Sequence, residues 1–243
     1  NDMTTTTVTT HFDYHSIDHN LLKLDILGHE DPTMIRKLQD LTGKDPLTIP
    51  LDDPIVLTLF QNTTALGVTP ADIGGAQTGS RGIPEFGTDT AINTLVETNP
   101  QSFSDLIRIS GLSHGTNVYG GNAQTLIQNG TATISECICT RDDIMTYLIS
   151  KGIENERAFK IMEAVRKGMV AKKRCADWPE WRQDIVDHGI PDWYLWSCER
   201  IEYMFPKAHA AAYSISTLRV AWFKVYYPEE YYCAFFSIRG DEF

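Results

Sequence analysis

"LLKLDILGHE", residues 21–30, carries one carboxylate, Asp25, inside an apolar run. Alternation puts Leu22, Leu24 and Ile26 on one face and Leu21, Lys23, Asp25 and Leu27 on the other, which predicts a β-strand over 21–27. A buried charge costs on the order of several kcal/mol unless it is paired or holds a metal. Two readings of Asp25 are open from spacing alone. It pairs with Lys23 on a half-exposed strand, or it is a functional carboxylate.

Outside this strand the patterns are helical. "DPTMIRKLQDLTG" offers Asp31 as N-cap, Pro32 at the first helical position and Gly43 as stop. Asp53 and Pro54 repeat that start, Ser102 and Asp105 form a capping-box-like pair, and a further helix opens at Thr140 and ends at Gly152. In "ERAFKIMEAVRKG", Phe159, Met162 and Val165 share a face at helical spacing and are expected in the core. The aromatic-rich end from Pro191 reads as two or three packed helices punctuated by Pro206 and Pro228. Two glycine-rich connectors, residues 74–88 and 110–122, separate these helices, and the first is expected to be the loosest part of the chain.

The composition of the 243 residues is that of a globular protein, and no apolar run reaches the ~18 residues of a membrane span. The N-terminus has no basic-then-apolar signal pattern, and both ends read as internal to a longer protein. Five cysteines without a C-x-x-C pair suggest reduced thiols and a cytoplasmic setting. A net charge of −11 argues against a protein that simply coats nucleic acid. Against that background Arg166–Arg174, "RKGMVAKKR", is a dense basic cluster, readable as a solvated helix end or as a phosphate contact.

Three further constellations could carry chemistry. His11, His15 and His19 recur at i, i+4, i+8 and would line one face if helical, as a metal site requires, but the Thr-rich lead-in disfavours a helix. Ser113 and His114 sit in what reads as a glycine-bounded turn that offers hydroxyls and N–H groups to a ligand. A hydrolase nucleophile built from them is disfavoured, because adjacent residues rarely meet in triad geometry. Lys207 and His209 follow Pro206 at a helix start, where the N-terminus and a lysine suit an anion such as a triphosphate.

The segments "TTHFDYHSIDHNLLKLDILGH", "IPEFGT", "ISGLSHGTNVYGGNAQ", "CTRDDIMTYLI", "AFKIMEAVRKG" and "YMFPKAHAAAYSISTLRVAWFKVYYPEEYYCAFFSIR" together resemble, in order, the PolC type of bacterial DNA polymerase III alpha subunit. The resemblance covers essentially the whole chain. It implies a mainly α chain with a small β portion. Residues 1–50 would be the end of a polymerase-beta-like nucleotidyltransferase palm, and residues 51–243 a helical fingers domain. Asp25 then matches a catalytic, Mg2+-binding carboxylate whose Asp-x-Asp partners lie outside this chain. Ser113, His114, Arg141, Phe205, Lys207, His209 and Tyr213 match the pocket for the incoming deoxynucleoside triphosphate, with Lys207 and Arg141 on phosphate and Tyr213 near the nascent base pair. Arg166, Lys167, Lys172, Lys173 and Arg174 are weaker candidates for DNA phosphate, because residues 169–192 read as a variable insertion. Implied partners are primer–template DNA, the rest of the polymerase chain and, through regions not in this chain, a sliding clamp. The chain alone is expected to lack polymerase activity. The alternative is a helical module that binds nucleotide or DNA without a reaction of its own.

Overall fold

The computed structural model describes residues 4, 6, 8–24, 26 and 28–240. The chain divides into two units, Asn1–Glu30 and Asp31–Phe243. In the first, a single 3-10 turn, Tyr14–Ser16, is capped by Asp13, whose carboxylate accepts from the His15 N–H at 3.0 Å. No described residue between 21 and 26 belongs to a strand, and Leu22, Leu24 and Ile26 are exposed. This corrects the expected strand for those residues. A strand is held by the backbone of a neighbour, and no described segment pairs with this one. Lys23 lies with its Nζ 5.1 Å from the centre of the Tyr14 ring. Asp25, on which both sequence readings turned, lies outside the described residues.

The second unit is helical. Its helices are α1 (Asp31–Thr42), α2 (Pro54–Thr58), α3 (Asp89–Thr98), α4 (Phe103–His114), α5 (Gln124–Gln128), α6 (Arg141–Ser150), α7 (Asn155–Arg166), α8 (Trp178–Asp187), α9 (Asp192–Cys198), α10 (Lys207–Tyr226) and α11 (Pro228–Ile238). The starts follow the capping chemistry. Asp53 accepts from the N–H groups of Ile55 and Val56 at 2.9 and 3.1 Å, and Asp143 reaches back to the Thr140 N–H at 2.8 Å. Gly152 closes the turn after α6 with φ +98°. None of the helices is long and apolar enough to cross a membrane.

Two hydrophobic clusters fill this unit. One joins α5 to α9 and includes Leu148, Ile161, Val165, Ile185 and Leu195, all fully buried. The other joins α1, α2, α4, α10 and α11 around Leu38, Phe60, Leu106, Phe223 and Tyr231. Helix α4 serves both, with Leu106 and Ile109 in the second cluster and Leu112 in the first. Residues 31–50, assigned to the palm by resemblance, include α1, which buries Met34 and Leu38 against α10 and α11.

One sequence expectation is corrected here. On α7 Met162 and Val165 are buried as expected, with Ala158 and Ile161, whereas Phe159 is 49% exposed, at the edge of that face. Residues 169–192, read as a variable insertion, are packed into the unit. Helix α8 buries Ile185 in the α5–α9 cluster, and Arg157 of α7 clamps it through Glu180 and Asp184 at 3.0 Å each.

Candidate functional site

Helix α4 runs through Gly111 to His114, so Ser110–His114 are its last turn and not the expected loop. Glycine is required at 111 because a Cβ there would lie 2.7 Å from the Cys139 carbonyl oxygen. At Gly115 a Cβ would lie 2.7 Å from the Tyr203 carbonyl oxygen. That close approach lets Thr116 form an antiparallel bridge with Tyr203, with the Thr116 N–H donating to the Tyr203 carbonyl at 2.9 Å. The end of α4 is thereby fastened to the segment that leads into α10.

His114 is held at both ring nitrogens. Nδ1 meets the Ser110 carbonyl oxygen at 2.6 Å and Nε2 meets Glu85 Oε2 at 2.8 Å. A carbonyl and a carboxylate only accept, so these two partners favour the protonated ring. The hydrogen bond to Glu85 is the largest cause of its raised pKa, opposed by burial. Ser113 Oγ donates to the same Ser110 carbonyl at 2.9 Å and lies 3.2 Å from His114 Nδ1. The Ser110 carbonyl is thus the nearer partner of both side chains, at 2.6 Å from Nδ1, an arrangement that holds them rather than one that activates a serine nucleophile.

Glu85 comes from the 74–88 connector, where it adopts φ +68°. This connector was expected to be the loosest segment, yet Thr78, Ser80, Ile83 and Phe86 are buried. Side-chain donors from the last two helices replace the missing regular structure. Lys224 Nζ, buried at 3% exposure, donates to the carbonyls of Gly79 and Arg81 at 2.8 and 2.6 Å. Thr217 Oγ1 donates to the Pro84 carbonyl at 3.1 Å, and Tyr231 donates through its hydroxyl to the Gly82 carbonyl at 2.8 Å. Burial lowers the Lys224 pKa to about 8.

A series of rings faces His114. Tyr203 meets Phe205 at 5.4 Å between centroids, Phe205 meets His209 at 4.9 Å, and His209 meets Tyr213 one helical turn on at 4.4 Å. His114 lies 5.5 Å from both Phe205 and His209. Burial, then the charge on His114, lowers the His209 pKa, so the two histidines are shifted in opposite directions. A cavity of roughly 300–1,000 Å³ is typical of a small-ligand site. The one beside His114 measures about 550 Å³ and is lined by Glu85, Thr88, Ala91, Ser113, His114 and Asn117.

Ser113, His114, Phe205, His209 and Tyr213 are thus brought together. Arg141 is tied to them by its backbone, its N–H donating to the Phe205 carbonyl at 3.2 Å. The N-terminus of α10 already holds an anion: the Lys207 N–H donates to Asp142 Oδ2 at 2.6 Å, and Lys207 Nζ lies 3.7 Å from Asp143. The basic cluster splits in two. Arg166 and Lys167 both pair with Glu163, whose pKa Arg166 chiefly lowers to about 2, whereas Lys172, Lys173 and Arg174 are exposed and have no ion-pair partner among the described residues. The described residues gather no group of three His, Cys, Asp or Glu side chains that could hold a metal, His11, His15 and His19 included.

Sequence reading missed Glu85, Asp142 and Tyr203 as members of this region. Asp142 sits in a recognisable helix start, but its acceptor role is toward a segment 65 residues away. Glu85 lies in a glycine-rich stretch whose folded path no local pattern indicates.

Residues 31–189 match a family described as the bacterial DNA polymerase III alpha subunit finger domain. The chain is 56% identical over 242 residues to "DNA polymerase III PolC-type" of Streptococcus pyogenes serotype M5 (strain Manfredo), and equally to that of serotype M1. Each alignment covers 100% of this chain and 16% of the relative, so the chain spans about a sixth of the length of these proteins.

Proposed function

Since the chain belongs to the family of bacterial DNA polymerase III alpha-subunit finger domains, we propose that it serves a DNA-templated DNA polymerase as the fingers, forming the pocket for the incoming deoxynucleoside triphosphate. The observation that supports this best is the cluster of His114, Phe205, His209 and Tyr213 beside an open cavity. The aromatic side chains suit a nucleobase, and His114, with its raised pKa, together with the cationic Lys207 and Arg141 suits a polyphosphate. Tyr213 packs near the nascent base pair, and Ser113 and His114 line the cavity. To place Lys207 on phosphate, the ligand must compete with Asp142 and Asp143 for the start of α10.

Asp25 is proposed as one carboxylate of a Mg2+ site. The described residues do not gather a ligand set, so Mg2+ would need carboxylates from elsewhere in the polymerase chain. When bound, Mg2+ would supply charge neutralisation at the triphosphate and activation of the primer hydroxyl. The chain by itself is therefore a binding module, and catalysis belongs to the full-length polymerase with primer–template DNA, a sliding clamp and a cytoplasmic location. The Arg166–Arg174 cluster is proposed to face DNA phosphate.

In the full-length polymerase, Tyr213→Ala and Lys207→Ala should raise KM for the nucleotide about tenfold or more, in the range of losing one stacked base or one charged contact. Asp25→Ala should abolish primer extension with an unchanged thermal melt. Wild-type turnover in Asp25→Ala, or extension by the isolated chain, would refute these assignments.

A further inference from the structure

We propose that the turn over residues 168–174 and the ring of Tyr203 together form a docking surface for single-stranded nucleic acid, the turn taking backbone phosphates and the ring a stacked base. This rests on the polymerase reading only for the identity of the strand, which would be the unpaired template.

The turn is a built structure. The Arg174 N–H donates to the Met169 carbonyl at 2.8 Å, Lys172 N–H to Gly168 at 2.9 Å and Lys173 N–H to Val170 at 3.0 Å, with Lys173 at φ +55°. Three exposed cations follow one another on it. Two of the nearby acids are neutralised by other cations: Glu163 takes Arg166 and Lys167, and Glu199 takes Arg182. Glu202 accepts from the Asn117 amide at 3.0 Å and keeps its charge, as does Asp177, so the three cations of the turn outnumber the acids left beside them. In a chain of net charge −11, three consecutive cations without counter-ions form a local field that favours a repeating anion.

The second component lies beside it. The Met204 N–H donates to the Arg166 carbonyl at 3.2 Å, which fixes the end of α7, and with it the start of the turn, against residues 203–204. Tyr203 is 45% exposed and meets Phe205 with the two rings perpendicular at 5.4 Å, so much of its ring is open to solvent where the ring series begins. Cations beside an exposed ring favour an unpaired strand over a duplex, because duplex bases are already stacked on each other.

The test is fluorescence-anisotropy titration of a labelled twelve-nucleotide oligothymidylate with this chain between about 50 and 200 mM KCl. Replacing Lys172, Lys173 and Arg174 together by Ala should weaken binding and flatten the log–log salt slope by about 2, at about 0.7 per lost phosphate contact. Tyr203→Ala should weaken binding about tenfold with the slope unchanged, and Tyr203→Phe should match the wild type, since a base stacks on either ring. An unaltered slope in the triple variant, no oligothymidylate binding by the wild type, or equal affinity for a duplex of the same length would overturn the proposal. The nucleotide KM effects of Tyr213→Ala and Lys207→Ala read different residues. If they hold while the oligothymidylate result fails, only this surface is lost. If they fail while it holds, the polymerase reading is lost and the surface stands.

Discussion

The two hydrophobic clusters of the helical unit are built by different means. The α5–α9 cluster is mostly helix on helix, and its irregular members, such as Cys137–Cys139 and Ile201–Met204, are tied by backbone bonds such as the Met204 N–H to the Arg166 carbonyl. The cluster around α10 and α11 also buries an irregular segment, residues 74–88, whose carbonyls would otherwise face an apolar interior. Lys224, Thr217 and Tyr231 supply the donors. The first cluster depends on volume and the second on hydrogen bonds brought from far away in sequence. Glu85, which lines the cavity beside His114, sits on the second kind of scaffold, so its hydrogen bond to His114 depends on donors far from the cavity.

The largest effect should come from the volume-dependent half. Ile185→Ala removes a fully buried side chain of α8 and should cost about 2–5 kcal/mol in urea unfolding. A loss below about 0.5 kcal/mol would show that α8 is not part of the core.

Lys224→Met keeps most of the volume but leaves the Gly79 and Arg81 carbonyls without a donor. It should cost about 2–3 kcal/mol near neutral pH. The pH dependence sharpens the contrast. The folded-state pKa of Lys224, about 8, lies below its ordinary 10.5, so over that interval the unfolded chain binds more protons. Wild-type stability should therefore gain a rising component between pH about 8 and 10.5, absent from Lys224→Met. Parallel pH profiles for the two proteins would break this account. The same variant should lower the His114 pKa, read by NMR, through loss of Glu85 alignment.

The smallest effect is expected at Phe159. Its place on the exposed side of α7 predicts that Phe159→Ser changes stability by no more than about 0.5 kcal/mol. A loss of several kcal/mol would return Phe159 to the core, where helical spacing alone had put it.

Much of the helical framework was legible in the sequence. The N-caps at Asp53 and Ser102, the stop at Gly152 and the start of α10 after Pro206 depend on bonds that span two to four residues, and local patterns report local bonds. The resemblance named Ser113, His114, Phe205, His209 and Tyr213, which the fold brings together, and the helical spacing of His209 and Tyr213 agrees with their rings meeting at 4.4 Å. The strand at 21–27 was inferred from alternation, but pairing needs a partner, and alternation cannot say whether one is present in the chain.

By itself, then, the sequence determined the helices, their punctuation and the family. Tertiary structure alone decided that Thr78, Ser80, Ile83 and Phe86 of the 74–88 connector are buried, that Glu85 faces His114, and that the basic cluster separates into a neutralised pair and three exposed cations. The physical reason is range. A helix cap is closed within a turn of chain, whereas the Lys224 bond to Gly79 joins residues 145 apart, and no pattern along the sequence encodes which distant carbonyl a buried ammonium will find.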